Sequence, residues 1–344
     1  MDVIAHLLTW NGEKYLADLF ASLDQQSLRP TLRVVDNGST DGSVTFIHER
    51  ASQSLVARNV KNLGFAGGHN QLFTFTFEHL TEHELAHTGI LLVNQDMVLD
   101  RGLVEQLAKA LEADPTLAAV QPKIYRAFRN ADEVFDGTKS DVLDTTGLEL
   151  TRSWRFEDRG AGEIDHGQFD AKADLIGACG ALVMFRASAL KEVTTNGEVF
   201  DGDFFAYRED CDLALRLKRA GWNTAFVPTA KAWHYRGMFG AQKRSWFERL
   251  RDRQGRSPFL AALAQRNQLL MLIKNLPCSE VFRSGPFILF HEVTRLTYSF
   301  FFERETRKLL LRFIPFALRA LKKRKAIFGS AKVPSTVFRK YVVK

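Results

Sequence analysis

The chain of 344 residues is 45% hydrophobic, 25% charged and 11% aromatic, a globular composition that excludes a disordered tail or a fibre. Its charge is uneven, because residues 1–240 carry 24 basic and 34 acidic side chains whereas residues 241–344 carry 23 basic and 6 acidic ones. A basic terminal region of this kind points to an anionic partner surface, either a nucleic acid or a phospholipid leaflet.

The three cysteines are widely spaced, and the sequence contains neither a disulfide framework nor the spacing of zinc ligands. We therefore expect a cytoplasmic location. The most apolar segment, Pro286–Phe302, is interrupted by polar residues at positions 291, 292 and 295, so we expect no transmembrane helix there.

Strand and helix signals alternate along residues 1–125. The predicted strands are short apolar runs: Val3–Thr9, Leu32–Val35, Leu55–Arg58, Ile90–Val93 and Ala118–Ile124. Helical spacing follows most of these strands, as in Gly12–Gln25 and Leu103–Ala113, and a glycine-rich turn is predicted at Gly64–Gly68. This alternation predicts a doubly wound, mainly parallel α/β sheet, in which ligands bind beyond the carboxyl ends of the strands.

After residue 125 the pattern is less regular. Residues 126–172 are polar and rich in Gly and Asp, and they predict an insertion of short strands and mobile loops. An apolar segment at 175–185, a helix at Arg208–Ala220 and a strand at Thr224–Val227 complete a predicted first domain, residues 1–240. Residues 241–344 predict a helical, basic C-terminal region.

Turn-forming residues occupy the segment Asp36–Gly42, directly after the second predicted strand. On its own, this composition favours a turn with a helix cap by about two to one. The alternative is that Asp36 and Asn37 hydrogen-bond the edge of a nucleobase that lies over the strand end.

A second segment, Gly64–Asn70, is rich in glycine and precedes a predicted helix. Glycines let the backbone approach a ligand closely, and a helix N-terminus favours phosphate. The spacing differs from the dinucleotide-binding fingerprint, so this signal is weak by itself.

The triplet Asn94-Gln95-Asp96 follows the strand Ile90–Val93. Two interpretations are open for Asp96: a cap of the next helix, or a carboxylate that holds a divalent ion against a diphosphate. His234, after the last strand of the first domain, is either a structural histidine or a second ligand, since imidazole suits Mn²⁺-like ions.

Five carboxylates and four aromatic rings are interleaved in the segment Phe200–Leu213. The helix dipole explains Glu209 and Asp210 at a helix start, but not the aromatic residues. We expect aromatic burial to raise the pKa of a carboxyl group here, which suits a general base.

Together these segments resemble glycosyltransferase family 2, the inverting enzymes of the GT-A fold, and are most similar to rhamnosyltransferase-like members that build bacterial surface polysaccharide. The order and spacing of the motifs carry the resemblance, which covers residues 1–275. The matching segments are Thr9-Trp10-Asn11, Asp36–Gly42, Gly64–Asn70, Asn94-Gln95-Asp96, Gly177–Ala181, Phe200–Leu213, Arg216, Gly221, Pro228, His234, Arg266-Asn267 and Lys274-Asn275.

The resemblance implies a nucleotide-diphosphate sugar donor, either a UDP- or a dTDP-sugar such as dTDP-rhamnose, and a glycan or lipid-linked glycan acceptor. It also implies a divalent cation, Mg²⁺ or Mn²⁺, held by Asp96 and His234, and a catalytic pair, Asp210 and Glu209, with Asp210 as the base. The residues implied to bind the donor are Thr9, Trp10, Asn11, Asp36, Asn37, Gly67, Gly68, Asn70, Asn94 and Gln95.

The sequence departs from the family at several of these positions. Gln95 stands where relatives usually have Pro, and Asn94 replaces the first Asp of the D-x-D-like motif. His69 and Leu72 replace a common Asn and a common Gly. The implied reaction is a single displacement, in which the metal stabilises the departing diphosphate and the bound donor is fixed for in-line attack.

The basic C-terminal region contains an amphipathic segment at 307–325, where Pro315 predicts a kink or a helix start. On a helix, two sets of side chains separate: the basic set Arg312, Arg319, Lys322 and Lys323, and the apolar set Leu310, Ile314, Ala317, Leu318 and Leu321. One interpretation is a helix packed on the body with a solvated basic face. We favour, by about three to two, an interfacial helix on an anionic membrane, peripheral to the inner face of the cell membrane.

Two other functions stay open from the sequence: a catalytically silent lipid- or nucleic-acid-binding protein on the same fold, and a nucleotidyltransferase. Intact Asp96, Asp210 and His234 argue against the first. The C-terminal region lacks the spaced aromatic residues of a base-stacking surface, so we expect no nucleic-acid partner. A nucleotidyltransferase would need a second metal-binding carboxylate, which Asn94-Gln95 does not provide.

Overall fold

The computed structural model describes residues 1–127, 139–235 and 257–343 of the chain. The predicted domain boundary at residue 240 lies outside these residues. The strands are β1 (Asp2–Thr9), β2 (Thr31–Asp36), β3 (Leu55–Arg58), β4 (Thr88–Asn94), β5 (Met97–Leu99), β6 (Leu117–Ala127), β7 (Lys139–Thr145), β8 (Leu148–Thr151), β9 (Phe156–Asp158), β10 (Asp174–Leu175), β11 (Leu182–Arg186), β12 (Asn223–His234) and β13 (Val342–Val343).

Eleven α-helices are described, and two short 3-10 segments lie at Gly202–Phe204 and Ser335–Tyr341. The helices are α1 (Glu13–Asp24), α2 (Ser43–Arg50), α3 (Gly64–Phe77), α4 (Glu82–His87), α5 (Leu103–Ala113), α6 (Ala187–Glu192), α7 (Glu209–Arg219), α8 (Pro258–Asn275), α9 (Cys278–Phe302), α10 (Arg304–Leu311) and α11 (Phe313–Gly329).

The main sheet has the strand order β10-β12-β6-β11-β4-β1-β2-β3. β1 is parallel to both β2 and β4, and β3 is parallel to β2, which confirms the α/β alternation predicted for residues 1–125. β11 is antiparallel to both of its neighbours, β4 and β6. The start of β11 therefore meets the carboxyl end of β4, and the segment before it reaches the edge where β1, β2 and β4 end. We call the carboxyl ends of β1, β2 and β4 the strand-end edge.

The main sheet is covered on both faces. In β4, Leu91 and Val93 join a core cluster with α1, α2 and α5, whereas Ile90 and Leu92 join a second cluster with α3, α4, α6 and α7. A strand buried on both faces needs apolar residues at every position, which explains the continuous run Ile90–Val93.

The glycine-rich segment is helical, so the predicted turn at Gly64–Gly68 was wrong. Helix α3 begins at Gly64, which has a φ of +77° and lies so close to Phe205 that a Cβ would clash with the Phe205 carbonyl oxygen. At Gly68 a Cβ would clash with the Leu8 side chain in β1. These two glycines therefore serve close packing of the helix on its neighbours.

The C-terminal helices pack on the rest of the chain. A third core cluster joins Trp154 of the insertion, Leu215 of α7, Met271 of α8, Ala320 of α11 and Phe338. In the insertion, the short strands β7, β8 and β9 agree with the prediction, and β13 pairs with β8 to form a second, three-stranded sheet. Residues 257–343 are therefore part of the folded body.

The predicted amphipathic segment at 307–325 is two helices, α10 and α11, which separate at Arg312. Helix α11 begins at Phe313, so Pro315 lies in its first turn, as expected for a proline near a helix start. In the parts of the chain that the structure describes, no helix is both long and apolar enough to span a bilayer.

Candidate active site

Gln95 joins two strands of the strand-end edge. Its Oε1 accepts hydrogen bonds from Thr9 Oγ1 at 2.7 Å and from the Trp10 backbone N–H at 2.9 Å, and its Nε2 donates to the Trp10 carbonyl at 3.2 Å. Thr9 is buried, whereas the Trp10 side chain is 50% exposed. The Gln at this position therefore ties β1 to the end of β4 and holds an indole ring at the surface.

The segment after β2 is the turn that its composition favoured. Asp36 Oδ2 accepts from the backbone N–H groups of Gly38 at 3.2 Å and Ser39 at 3.0 Å. Asn11 Oδ1 accepts from the Thr40 N–H at 2.9 Å, which joins the turn to the end of β1. Asp36 Oδ1 is buried without a hydrogen-bond partner among the described residues, so one carboxylate oxygen remains available as an acceptor.

The Asn37 side chain is fully used within the protein. Its Nδ2 donates to Asn62 Oδ1 at 3.0 Å and to the Gly64 carbonyl at 3.1 Å. Its Oδ1 accepts from Asn59 Nδ2 and from the Leu63 N–H, both at 3.0 Å. Asn37 thus shapes the loop before α3, and a contact with a nucleobase would replace one of these bonds.

Asn70 holds a distant segment. Its Nδ2 donates to the Phe200 carbonyl at 2.7 Å, and its Oδ1 accepts from the Phe200 N–H at 2.9 Å. Gly67 and Gly68 lie within α3 on the turn before it. The structure therefore brings Asn70 to the segment that leads into α7.

Asp96 and His234 form a pair beside the strand-end edge. His234 Nε2 lies 3.2 Å from Asp96 Oδ1, and His234 Nδ1 lies 2.9 Å from Asp144 Oδ2. Burial by itself would lower the pKa of the imidazole, but Asp96 and Asp144 outweigh burial and raise that pKa to about 9. Asp144 belongs to β7 in the insertion, where no sequence motif marked it.

Glu209 and Asp210 begin α7, close to the start of β11. Asp210 Oδ2 accepts from the Gly180 N–H at 3.1 Å, and the Asn94 N–H donates to the Ala181 carbonyl at 2.9 Å. The segment before β11 thus links Asp210 to the end of β4. The expected raised pKa is found on Glu209, where burial first and the Asp210 carboxylate second raise it to about 8.

The residues before α7 form a strained turn, which we call the 201–208 turn. Three of its non-glycine residues, Phe205, Tyr207 and Arg208, have positive φ angles of 63°, 71° and 76°. Such conformations are costly and persist only when the surroundings hold them. Asn267 of α8 supplies this support, because its Nδ2 donates to the carbonyl oxygens of residues 204, 206 and 207, each at 2.8 Å.

A buried ion cluster joins the 201–208 turn and α7 to α8. Lys274 Nζ lies 2.6 Å from Asp201 Oδ2 and 2.9 Å from Asp212 Oδ2. Arg216 and Asn275 also bond to Asp212, at 2.9 Å and 2.8 Å. Burial would raise the pKa of Asp212, but Lys274 and Arg216 outweigh it and hold that pKa far below its usual range.

Helix α11 also contacts this turn, through part of its basic side. Arg319 lies 2.7 Å from Asp203 Oδ1, and Lys323 bonds to both Asp201 and Asp203. The favoured sequence interpretation placed these two cations against lipid, whereas in the structure both bond to the acidic residues of the turn; Lys323 is mostly buried there, and the Arg319 side chain stays 46% exposed. The acidic cluster at 201–203, close to the C-terminal helices, attracts them, and residue spacing alone could not reveal this. Arg312 and Lys322 of the same basic set are exposed.

Comparisons with known proteins concern the family and the fold of the chain. The sequence model of the family described as "Glycosyltransferase like family 2" matches residues 7–257. The N-acetylglucosaminyl-diphospho-decaprenol L-rhamnosyltransferase of Mycobacterium tuberculosis is 26% identical over 241 residues, which cover 67% of this chain and 74% of that protein.

Two solved structures share the fold. Residues 1–349 of S. aureus TarS in complex with UDP give a TM-score of 0.52 at 14% identity, over 95% of this chain and 83% of that one. GalNAc-T7 with UDP, GalNAc and Mn²⁺ gives a TM-score of 0.55 at 11% identity over 80% of this chain. This chain spans only 48% of GalNAc-T7.

Proposed function

Because the chain belongs to the glycosyltransferase-like family 2 and has the GT-A fold, we propose that it transfers a sugar from a nucleotide-diphosphate donor with inversion at the anomeric carbon. The observation that carries this proposal is the convergence of three groups at one sheet edge. These are the free Asp36 Oδ1, the Asp96–His234 pair and Asp210, which the segment before β11 links to the end of β4.

We infer a UDP- or dTDP-sugar as the donor. A buried carboxylate oxygen without a partner accepts an N–H group, and uracil and thymine both present one on the ring edge that faces away from the sugar. The exposed Trp10 ring offers a surface for stacking of the base. The rhamnosyl group in the name of the mycobacterial relative supports dTDP-rhamnose as the first donor to test.

Asp96 and His234 would hold a divalent cation, Mg²⁺ or Mn²⁺. Asp96 Oδ1 and His234 Nε2 face each other at 3.2 Å, and Asp144 at Nδ1 orients the ring, as partners of metal-binding histidines do. The ion would replace the proton that the two carboxylates hold on the imidazole when no metal is bound. Among the described residues no group of three or more ligands is present, so an ion at this pair would need further ligands from the diphosphate of the donor. When bound, the ion stabilises the charge that grows on the leaving diphosphate.

Asp210 accepts the proton of the acceptor hydroxyl in this proposal. As that oxygen bonds to the anomeric carbon, the bond from the same carbon to the diphosphate oxygen breaks on the opposite side. The Gly180 N–H fixes one Asp210 oxygen, and the 201–208 turn fixes the start of α7. Glu209 keeps its own proton near neutral pH because its pKa is raised, so it adds no second charge beside the base.

We infer that the acceptor is a glycan, and a lipid-linked glycan in particular, reached at the inner face of the cell membrane. The mycobacterial relative has a diphospho-decaprenol compound in its name. The basic composition of residues 241–344 supports a position near an anionic leaflet.

A thermal-shift screen of nucleotide sugars with Mg²⁺, Mn²⁺ or chelator tests this proposal. A transfer assay with the best donor follows. We expect one donor to raise the melting temperature more with cation than with chelator, and Asp96→Ala to lose that difference. Asp24→Ala, on the exposed side of α1, is the control and should behave as the wild type. Full transfer in excess chelator would rule out the metal role, and no transfer with any donor would rule out the reaction.

A further inference from the structure

Helix α9 has its polar side inward and its apolar side outward. Its buried residues are all polar: Glu280, Ser284, Glu292 and Ser299. Its exposed residues include Phe282, which is 91% exposed, Leu289 and Phe290, which is 77% exposed, and Phe300. At 100° per residue, positions 282, 289 and 300 lie within about 20° of one another and form a stripe roughly 27 Å long. A helix of a protein surrounded by water has the opposite arrangement.

Hydrogen bonds fix this orientation of α9. Glu292 Oε2 accepts from Gln265 Nε2 of α8 at 3.0 Å, and Glu280 Oε1 accepts from Arg339 Nε at 2.8 Å. Rotation of the helix to bury its phenylalanines would expose these partners and break both bonds. The outward position of the aromatic residues is therefore a stable feature of the fold.

Helix α11 repeats the arrangement. Arg319 and Lys323 lie on its inward side, bonded to the acidic residues of the 201–208 turn. On the opposite side Ile314, Leu318 and Leu321, at spacings of four and three residues, are each more than half exposed. Two helices of one region thus present apolar stripes that are exposed among the described residues.

We propose that these stripes insert into the boundary between headgroups and acyl chains of an anionic phospholipid leaflet. The apolar face, as we define it, consists of Phe282, Leu289, Phe290 and Phe300 of α9 and Ile314, Leu318 and Leu321 of α11. With rings and branched chains of this size, the two stripes together expose on the order of several hundred Å² of apolar surface, an amount that is typical of interaction surfaces. The inference deepens the lipid-linked acceptor of the proposed function by naming the surface that would meet the leaflet.

The charge beside the apolar face favours a leaflet over a second copy of the chain. Residues 257–343 contain sixteen Lys and Arg against four Glu. The exposed cations of α9 to α11 include Arg283, Arg304, Arg312, Lys322 and Lys325. Two copies facing each other would bring like charges together, whereas anionic headgroups neutralise them.

Point variants of the full chain test this proposal better than deletion of residues 303–344, which would remove Phe338 and Ala320 from the core cluster. The double variant Phe282→Ser/Phe290→Ser should lower partition to phosphatidylcholine vesicles containing phosphatidylglycerol by about tenfold or more. Its melting temperature should stay unchanged, because both rings are exposed. Val60→Ser changes an exposed apolar residue outside the C-terminal helices and should leave partition unchanged.

The variant Lys322→Gln/Lys325→Gln separates charge from insertion. It should weaken binding at low salt by about tenfold and have little effect at high salt, where screening already removes the electrostatic part. Nucleotide binding without vesicles should be normal in both double variants, so loss of partition is distinguishable from failure of the proposed reaction. The proposal is overturned if the wild type ignores anionic vesicles at low salt. It is also overturned if Phe282→Ser/Phe290→Ser binds vesicles normally, or if that variant instead dissociates a dimer present in solution.

Discussion

The strand-end edge and the 201–208 turn differ in which parts of the chain supply the hydrogen bonds and ion pairs that support them. At the strand-end edge, several bonds join residues 9–96 of one parallel half-sheet, as with Gln95 and Thr9, and others reach Ala181 and His234. The 201–208 turn is held from outside, by α8 through bonds that span about 60 to 73 positions and by α11 through bonds that span 116 to 122 positions. In the proposed reaction, donor binding and acceptor activation therefore rest on different sets of supporting contacts, and variants can test whether they separate.

Substitution of the proposed base should give the largest effect. It should lower the rate of transfer and leave donor binding unchanged. Asp210→Asn should lower the rate of transfer by about 10²–10⁴-fold, because it removes the proton acceptor but not a donor contact. Nucleotide affinity, measured by calorimetry, should be nearly unchanged. An equal loss of affinity and rate would indicate that Asp210 contributes to donor binding and is not the base.

Loss of the ion cluster should be nearly as damaging, through stability. Lys274→Met leaves Asp201 and Asp212 without their shared cation and should lower the free energy of unfolding by about 3–5 kcal/mol. Denaturant titration measures this change. Lys109→Met breaks the exposed pair with Glu105 and should leave the free energy of unfolding almost unchanged. Equal losses in the two variants would contradict the role assigned to the cluster.

A variant at the strand-end edge should have the opposite effect to Asp210→Asn, with nucleotide affinity lowered and the transfer rate retained. Gln95→Ala removes the bonds to Thr9 and Trp10 and should weaken nucleotide binding by about tenfold, while the rate at saturating donor is retained. Gln53→Ala, at an exposed position, is the control. A fall in the saturated rate with normal affinity would show that the two regions are coupled.

The last prediction concerns pH. The pKa of Glu209 is about 8 in the folded protein against 4.5 for an ordinary Glu, so the folded state retains a proton that the unfolded state loses. This contribution to stability is complete below about pH 4.5 and is lost as pH rises towards 8. Unfolding measured from pH 5 to 8 should therefore show a steeper decline for the wild type than for Glu209→Gln. Glu49→Gln, which is exposed, should keep the wild-type slope.

Sequence reasoning succeeded where structure is set locally. The ends of α5, Leu103 and Ala113, are those predicted, and β1, β2 and β4 differ from prediction by one or two residues. The apolar residues of such a segment form one face of a helix or one continuous run of a strand. In the structure this face or run is buried. The turn after Asp36 is another local feature, since its own backbone N–H groups bind the carboxylate.

Sequence reasoning failed where contacts join distant segments. Gly68 looked like a loop residue, but its role comes from Leu8 on the neighbouring strand. Asp144 carried no motif, although it bonds to His234 across 90 positions. The amphipathic pattern of α11 was recognised, but which side faces inward depends on Asp201 and Asp203, and a helical projection contains no information about them.

The support of the 201–208 turn by Asn267, Lys274 and Lys323 also has a consequence for biosynthesis. Chains leave the ribosome N-terminus first, so the strand-end edge can assemble while the later helices are still being made. The strained residues before α7 gain their supports only when residues 267–323 have emerged. The proposed base Asp210 follows this turn directly, so we expect the ability to transfer a sugar to be acquired late in synthesis.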